Sequence, residues 1–396
     1  MDGRGNDERA TAFDGALRLI DEWLGPQGPS GVGAVVWHGG QIVGERYVGE
    51  ARPGVPVGPE TLFGLASVTK PVTAAVVMTL VEAGLVSLDE PVGRIVPEFR
   101  AGPALGSGSG GMRGEEDGAA ESDPDPALER LRTEVSTRHL LSHTSGLPED
   151  LGPREGRFAD QPTLSTIIDA MCRLPLRFAP GSELLYSNAG FGVLARLVER
   201  VTGEEFWHVA RERLLDPLGM VDTVARPGPE LTERIAHLAD AASHGTAIES
   251  YNSPYWRELA IPWGGLYGTP RDLVRFAAIF LPSATGSVLS PTGTLLMARD
   301  QAEGVAGGVE SARVRWQPAS WGLGWEVKGS KRRHWTGELT SPATICHFGQ
   351  AGTLLWADPQ RDLALAVFAN RSVARIWNFI LPRWARLSNA VVAGTT

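Results

Sequence analysis

Stretches that read as β-strands lie toward both ends of this 396-residue chain, and the stretch between them reads as mostly helical. At about 150 residues per core the length allows two or three domains.

At the N-terminal end, Phe13, Leu17, Ile20 and Leu24 recur at helical spacing. Gly31 to Gly49 then alternates as a hairpin, turning at His38-Gly39-Gly40. Val72, Val76 and Leu80 mark a helix that Gly84 stops. Residues 101–129 are dominated by Gly, Ser, Ala, Pro and acidic side chains and read as a mobile, solvated surface insertion. Ile167, Met171 and Leu174, then Phe191 to Val201, then Phe206 to Leu215 predict further helices. Another is expected over Asp272 to Leu281. Trp321 to Val327, Leu354 to Ala357 and Leu363 to Ala369 read as strands, the last two joined by an Asp358-Pro359-Gln360-Arg361-Asp362 turn.

Composition removes several classes of function. A net charge of −9 disfavours a nucleic-acid binder, which needs a basic face. Two cysteines, Cys172 and Cys346, form neither a disulfide framework nor a CxxC pair, so reduced thiols in the cytoplasm are expected. No apolar run reaches the roughly 18 residues of a membrane span, and the polar first residues do not read as an export signal. Ile376 to Leu387 mixes tryptophan and arginine with aliphatics, which suits a helix docked on the body. His38, His237, His244 and His334 are scattered without a metal-binding spacing, so neither a metal nor a cofactor is expected.

Three short motifs carry chemistry. Ser67-Val68-Thr69-Lys70 places a hydroxyl and an amine three residues apart, on one face of a helix. Pro71 belongs in a first helical turn, so Ser67 sits at the helix N-terminus, where the dipole favours developing negative charge. A lysine serves as base there only if burial keeps its amine partly neutral. Tyr186-Ser187-Asn188 offers a phenol for proton relay and an amide that both donates and accepts, ahead of a helix it could also simply cap. His347-Phe348-Gly349 precedes a strand, and its glycine lets backbone approach a substrate closely. Taken singly, each has a plain structural reading as cap, surface residue or packing histidine.

Taken in order, the three motifs resemble those of the serine β-lactamase and penicillin-binding-protein superfamily, in particular its class C-like branch with the family VIII-type esterases and related hydrolases. Phe63-Gly64-Leu65-Ala66, His139 to Leu147, Leu215-Asp216-Pro217-Leu218-Gly219-Met220, Gly264-Gly265-Leu266-Tyr267 with Arg271-Asp272-Leu273, and Trp321-Gly322-Leu323-Gly324-Trp325 extend the likeness over roughly residues 14 to 370. The resemblance implies an α/β (α+β) fold of two interleaved lobes: residues 12–86 with 256–390 as an α/β lobe, an antiparallel sheet flanked by helices, residues 87–255 as an inserted helical lobe, and the site in the cleft between them. It implies Ser67 as nucleophile and Lys70 and Tyr186 as general base and acid, in an order the sequence leaves open. Asn188 would orient Lys70 and the substrate, and the backbone N–H groups of Ser67 and Gln350 would form the oxyanion hole. His347 and Gly349 would line the substrate.

Where penicillin-recognising members carry Lys-Thr-Gly, this chain has His347-Phe348-Gly349. A neutral histidine and a phenylalanine replace a fixed cation and a hydroxyl, which counts against β-lactam or cell-wall peptide substrates. The expectation is a serine hydrolase acting on small or secondary-metabolite esters. An acyltransferase, thioesterase or peptide cyclase would use the same acyl-enzyme with a different acceptor; a β-lactamase or D-amino-acid peptidase is less favoured, and a non-catalytic binding protein least. Nine of the 12 tryptophans lie from Trp256 onward, and a wall containing Trp263 and Trp321 would suit an apolar acyl group, although core packing is the plainer role of each. His143 reads as part of a structural turn. Cys346 and His347 are strand neighbours and should face opposite sides. The substrate is a small molecule, and nothing in the sequence speaks to oligomeric state.

Overall fold

A computed structural model describes residues 13–102, 124–152, 158–285 and 288–395. Its main sheet has seven strands: β1 (Gly31–His38), β2 (Gln41–Arg52), β3 (Val55–Pro56), β4 (Glu326–Val327), β5 (Ile345–Gly349), β6 (Thr353–Asp358) and β7 (Leu363–Ala369). The order is β3-β2-β1-β7-β6-β5-β4 and every pairing is antiparallel. The expected union of the two chain ends is the β1–β7 ladder, in which Val32 pairs with Ala369 and His38 with Leu363.

The central strands are covered on both faces, and alternation divides their side chains between two cores. Val35, Leu355, Ala364, Ala366 and Phe368 join one core, with the helices α1 (Thr69–Glu82), α2 (Asn188–Thr202) and α3 (Pro270–Ala278). Val36, Cys346, Leu354, Trp356, Leu365 and Val367 join the other, against Phe13, Leu17, Ile20 and helix α4 (Val373–Ala393). Ile380, Trp384 and Leu387 of α4 are buried there, as expected of a docked helix. No helix is long and apolar enough to cross a membrane among the described residues.

Several expectations need adjustment. The N-terminal helix tightens into a 3₁₀ segment over Arg18–Trp23, so Leu24 falls outside it and is exposed. The strand expected over Trp321 to Val327 is only Glu326–Val327, joined to Trp321 by one bridge. Its Gly322 to Gly324 portion turns instead of extending, with Gly324 at φ +79°. A Cβ on Gly324 would lie 2.2 Å from the Cβ of Ala74, so this turn packs directly on α1. Of the insertion at 101–129, residues 103–123 lie outside the described residues. Its downstream end forms the helix Pro126–Leu131, capped by Asp125, and Glu129 accepts from Arg132 and from the Leu176 N–H. Between residues 92 and 259 the regular elements described are helical except for the two-residue strand Leu184–Leu185.

Candidate active site

Ser67 sits in a 3₁₀ turn, Ala66–Val68, that runs directly into α1. The turn is tight: Ala66 adopts φ +48°, a left-handed conformation that costs an alanine free energy and is found where a fold holds a residue in place. Strand β5 lies against it. A Cβ on Gly349 would come 2.3 Å from the Leu65 carbonyl oxygen and 3.0 Å from the Ala66 Cβ, so only glycine permits this approach. The Thr353 hydroxyl donates to the same Leu65 carbonyl at 2.8 Å and fixes the turn to β6. The N–H of Gln350, which follows Gly349, has no protein acceptor among the described residues.

In the first turn of α1, Lys70 is fully buried. Its ammonium donates to Ser67 Oγ at 3.1 Å and to the Trp263 carbonyl at 2.9 Å, and it stands 4.6 Å from the Tyr186 ring centre. Burial lowers its pKa to about 7, against the opposing pull of Asp150 and Glu149. The amine is thus partly neutral near neutral pH while remaining in hydrogen-bond reach of the serine.

Tyr186 and Asn188 enter from the other side. Burial pushes the Tyr186 phenol well above its usual range, with Ser67 the main opposing influence, so the group stays protonated. Its hydroxyl faces Ser67 without hydrogen-bond geometry and is an unpaired buried polar atom. His143 holds this segment: its Nδ1 accepts the Ser187 N–H at 2.9 Å, and its ring packs 4.6 Å from that of Tyr186. With Nδ1 an acceptor, the neutral ring carries its proton on Nε2. The Ser187 hydroxyl caps α2 through Gly190 N–H. Asn188 lines the site but does not hold Lys70 as expected. Its amide donates to Asp150 Oδ2 at 2.9 Å, and its backbone N–H donates to the Glu149 carbonyl at 2.7 Å. Lys70 bonds to Ser67 and Trp263 and makes no hydrogen bond to Asn188.

On β5, alternation sends Cys346 into the sheet–α4 core and His347 toward Ser67, as strand geometry demands. His347 Nδ1 lies 2.9 Å from the Phe348 carbonyl, which can only accept, so Nδ1 carries the proton and Nε2 presents a bare lone pair. That Nε2 is buried and unpaired. Burial and the nearby Lys70 lower the His347 pKa to about 3, so the ring stays neutral. Phe348 packs its ring against Trp335, Trp377 and Trp384.

These groups open onto a cavity of about 820 Å³, with Ser67, Tyr186, Asn188, His347 and Gln350 in its wall. Trp321, Phe348 and Trp377 give it an apolar side; Glu149 and Asp150 give it an acidic one. Trp263 does not line it. Its side chain is buried in the core beside Gly192, and its backbone carbonyl is what reaches the site, which corrects the expectation of a Trp263 wall. Beneath the cavity lies a group the motifs did not reveal: Glu326 Oε1 accepts from Lys331 at 2.8 Å and from His334 at 3.0 Å, with the Cys346 thiol 3.8 Å from its other oxygen. The Glu326, His334 and Cys346 donor atoms lie within 4.8 Å of one another, but the Lys331 ammonium already supplies the cation.

An antiparallel sheet covered by helices, with Ser67 and the buried Lys70 three residues on held at its edge, is the β-lactamase-like α/β fold of the serine hydrolase superfamily. The chain belongs to the Beta-lactamase family, whose model matches residues 18–376. It is 31% identical to esterase EstB of Burkholderia gladioli over 368 residues, covering 85% of this chain and 83% of that one. It is also 31% identical to penicillin-binding protein 4 of Amycolatopsis lactamdurans over 281 residues, 69% of this chain and 64% of that protein. The structure of a family VIII carboxylesterase superposes with a TM-score of 0.75 at 21% identity, covering 98% of this chain and 97% of that one.

Proposed function

We propose that this protein is a carboxylesterase that works through an acyl-enzyme on Ser67. The observation that carries the reading is the 3.1 Å contact between Ser67 Oγ and a lysine amine whose pKa burial brings to about 7. Neutral Lys70 takes the Ser67 proton as Oγ attacks the ester carbonyl. The tetrahedral oxyanion is stabilised by the N–H groups of Ser67 and Gln350. As the intermediate collapses, the C–O bond to the alcohol breaks and the departing alkoxide takes a proton from Tyr186, which Lys70 replaces. Water then attacks the acyl carbonyl, giving its proton to Lys70; the bond from the acyl carbon to Oγ breaks, Oγ takes the proton from Lys70, and the acid leaves with Ser67 and neutral Lys70 restored. Tyr186 starts as donor because its buried phenol holds its proton far more tightly than Lys70 holds its own. Asn188 orients the substrate together with Asp150. The lobe proposed at residues 87–255 supplies Tyr186 and Asn188, and the lobe formed by the chain ends supplies Ser67, Lys70 and His347.

The relatives include both an esterase and a penicillin-binding protein. The cavity favours the first: the neutral His347 and the apolar Phe348 offer no cation to a substrate carboxylate. Turnover of p-nitrophenyl butyrate, nitrocefin and a D-Ala-D-Ala peptide separates the readings. The ester is expected to exceed both others in kcat/KM by at least about 100-fold. Peptide or β-lactam turnover equal to that of the ester contradicts the proposal.

A further inference from the structure

The cavity around Ser67 is polarised in charge. Four carboxylates line it: Glu149, Asp150, Glu310 and Glu326. Two are already neutralised, Glu310 by Arg177 at 2.7 Å and Glu326 by Lys331 at 2.8 Å. Glu149 and Asp150 have no such partner among the described residues. Among the described residues, Glu149 accepts only from the Ser311 hydroxyl and N–H, and Asp150 from the Asn188 amide and the Leu151 N–H. Among the described residues lining the cavity, Arg313 is the one arginine or lysine, against this pair of carboxylates. Both carboxylates also act on the Lys70 ammonium, so their field reaches the reacting atoms. A second feature marks the same cavity as built for a ligand: Tyr186 Oη and His347 Nε2, on lining residues more than nine-tenths buried, make no hydrogen bond among the described residues.

We propose that Glu149 and Asp150 form a cation subsite, so that the preferred substrate is an ester carrying an ammonium group on its acyl or alcohol portion. The inference rests on the esterase reading above. Two carboxylates at the mouth of a partly desolvated cleft attract a cation and repel an anion. The facing Trp321, Phe348 and Trp377 suit the apolar carbons around an alkylated nitrogen.

Two isosteric pairs test this. The first compares p-nitrophenyl 3-(trimethylammonio)propanoate with p-nitrophenyl 4,4-dimethylpentanoate, each rate divided by that of spontaneous hydrolysis. The second compares choline with 3,3-dimethylbutan-1-ol as inhibitors of p-nitrophenyl butyrate turnover. The cationic member is expected to be favoured by about tenfold in at least one pair. That preference should fall toward unity in Glu149→Gln/Asp150→Asn and weaken in 0.5 M salt. Because both members share one catalytic apparatus, any effect of the substitutions on Lys70 cancels in the ratio. Should the double variant not fold, Asp150→Asn at an exposed position gives the same reading on its own. Ser67-dependent turnover of the neutral ester with no preference in either pair, or a preference that survives the substitutions, overturns the cation subsite alone. Absence of Ser67-dependent turnover of all the esters overturns the esterase reading and the subsite with it.

Discussion

Lys70 has its whole side chain out of water, and in the proposed mechanism that placement sets how the reaction depends on pH. The amine must be neutral to accept the serine proton, and its pKa is brought to about 7. kcat/KM for a neutral ester is therefore expected to rise about tenfold per pH unit below 7 and to level off above it. His347, at about 3, contributes nothing in that range. The effect on stability has the matching sign. Between about 7 and the unfolded value near 10.5 the unfolded chain binds the extra proton, so stability rises with pH across that window; below 7 both states are charged and the burial cost is constant. Lys70→Met is expected to cut kcat/KM by at least about 10³-fold. It should also raise the unfolding free energy at pH 7 by about 1–2 kcal/mol, measured in denaturant. A flat pH profile, or a destabilised Lys70→Met, contradicts this account of the base. The Ser67–Lys70 pair is legible in sequence because its partners are three residues apart. The burial that tunes it is not, since the Trp263 carbonyl that holds the amine comes from 193 residues away.

At the scale of elements, the site depends on how closely β5 approaches the Ser67 turn. Gly349→Ala would push its methyl into the Leu65 carbonyl and displace either the strand or the turn that carries the nucleophile. Displacements near 1 Å reduce rates by about 100-fold, and kcat is expected to fall by that amount. The cost in unfolding free energy should be about 1–3 kcal/mol, read from denaturant melts. Unchanged kcat would mean that β5 does not set the position of Ser67. The hairpins, α1 with its Gly84 stop and the Asp358 to Asp362 turn could be read from spacing and turn chemistry alone, because these signals are local. The Gly322 to Gly324 turn could not, since its shape answers to contact with Ala74 of α1. The roles of Asn188 and His143 were hidden for the same reason. Asn188 turns toward Asp150, and His143, which reads as a turn residue, supports Tyr186 through the Ser187 N–H.

For the molecule as a whole, the joining of the two chain ends gives the cavity its shape. Asn370, just past β7, accepts from the Gly31 N–H at 2.8 Å and donates to Ser30 and to the Glu50 and Ala51 carbonyls, tying β7 to β1 and β2. On that sheet the Ser67 turn and β5 form one wall, while Tyr186 and Asn188 close the opposite side. The single sheet could be anticipated only through the family resemblance, because strand signals at either end do not say which strands pair. The Glu326, Lys331, His334 and Cys346 cluster could not, because no spacing rule connects those residues before the chain is folded. The central claim is that an acyl group passes through Ser67. Intact-protein mass after brief exposure to a p-nitrophenyl ester or a fluorophosphonate, followed by peptide mapping, tests it directly. A single adduct on Ser67, absent from a folded Ser67→Ala variant, is the predicted result; an adduct on another residue, or equal labelling of the variant, would contradict it.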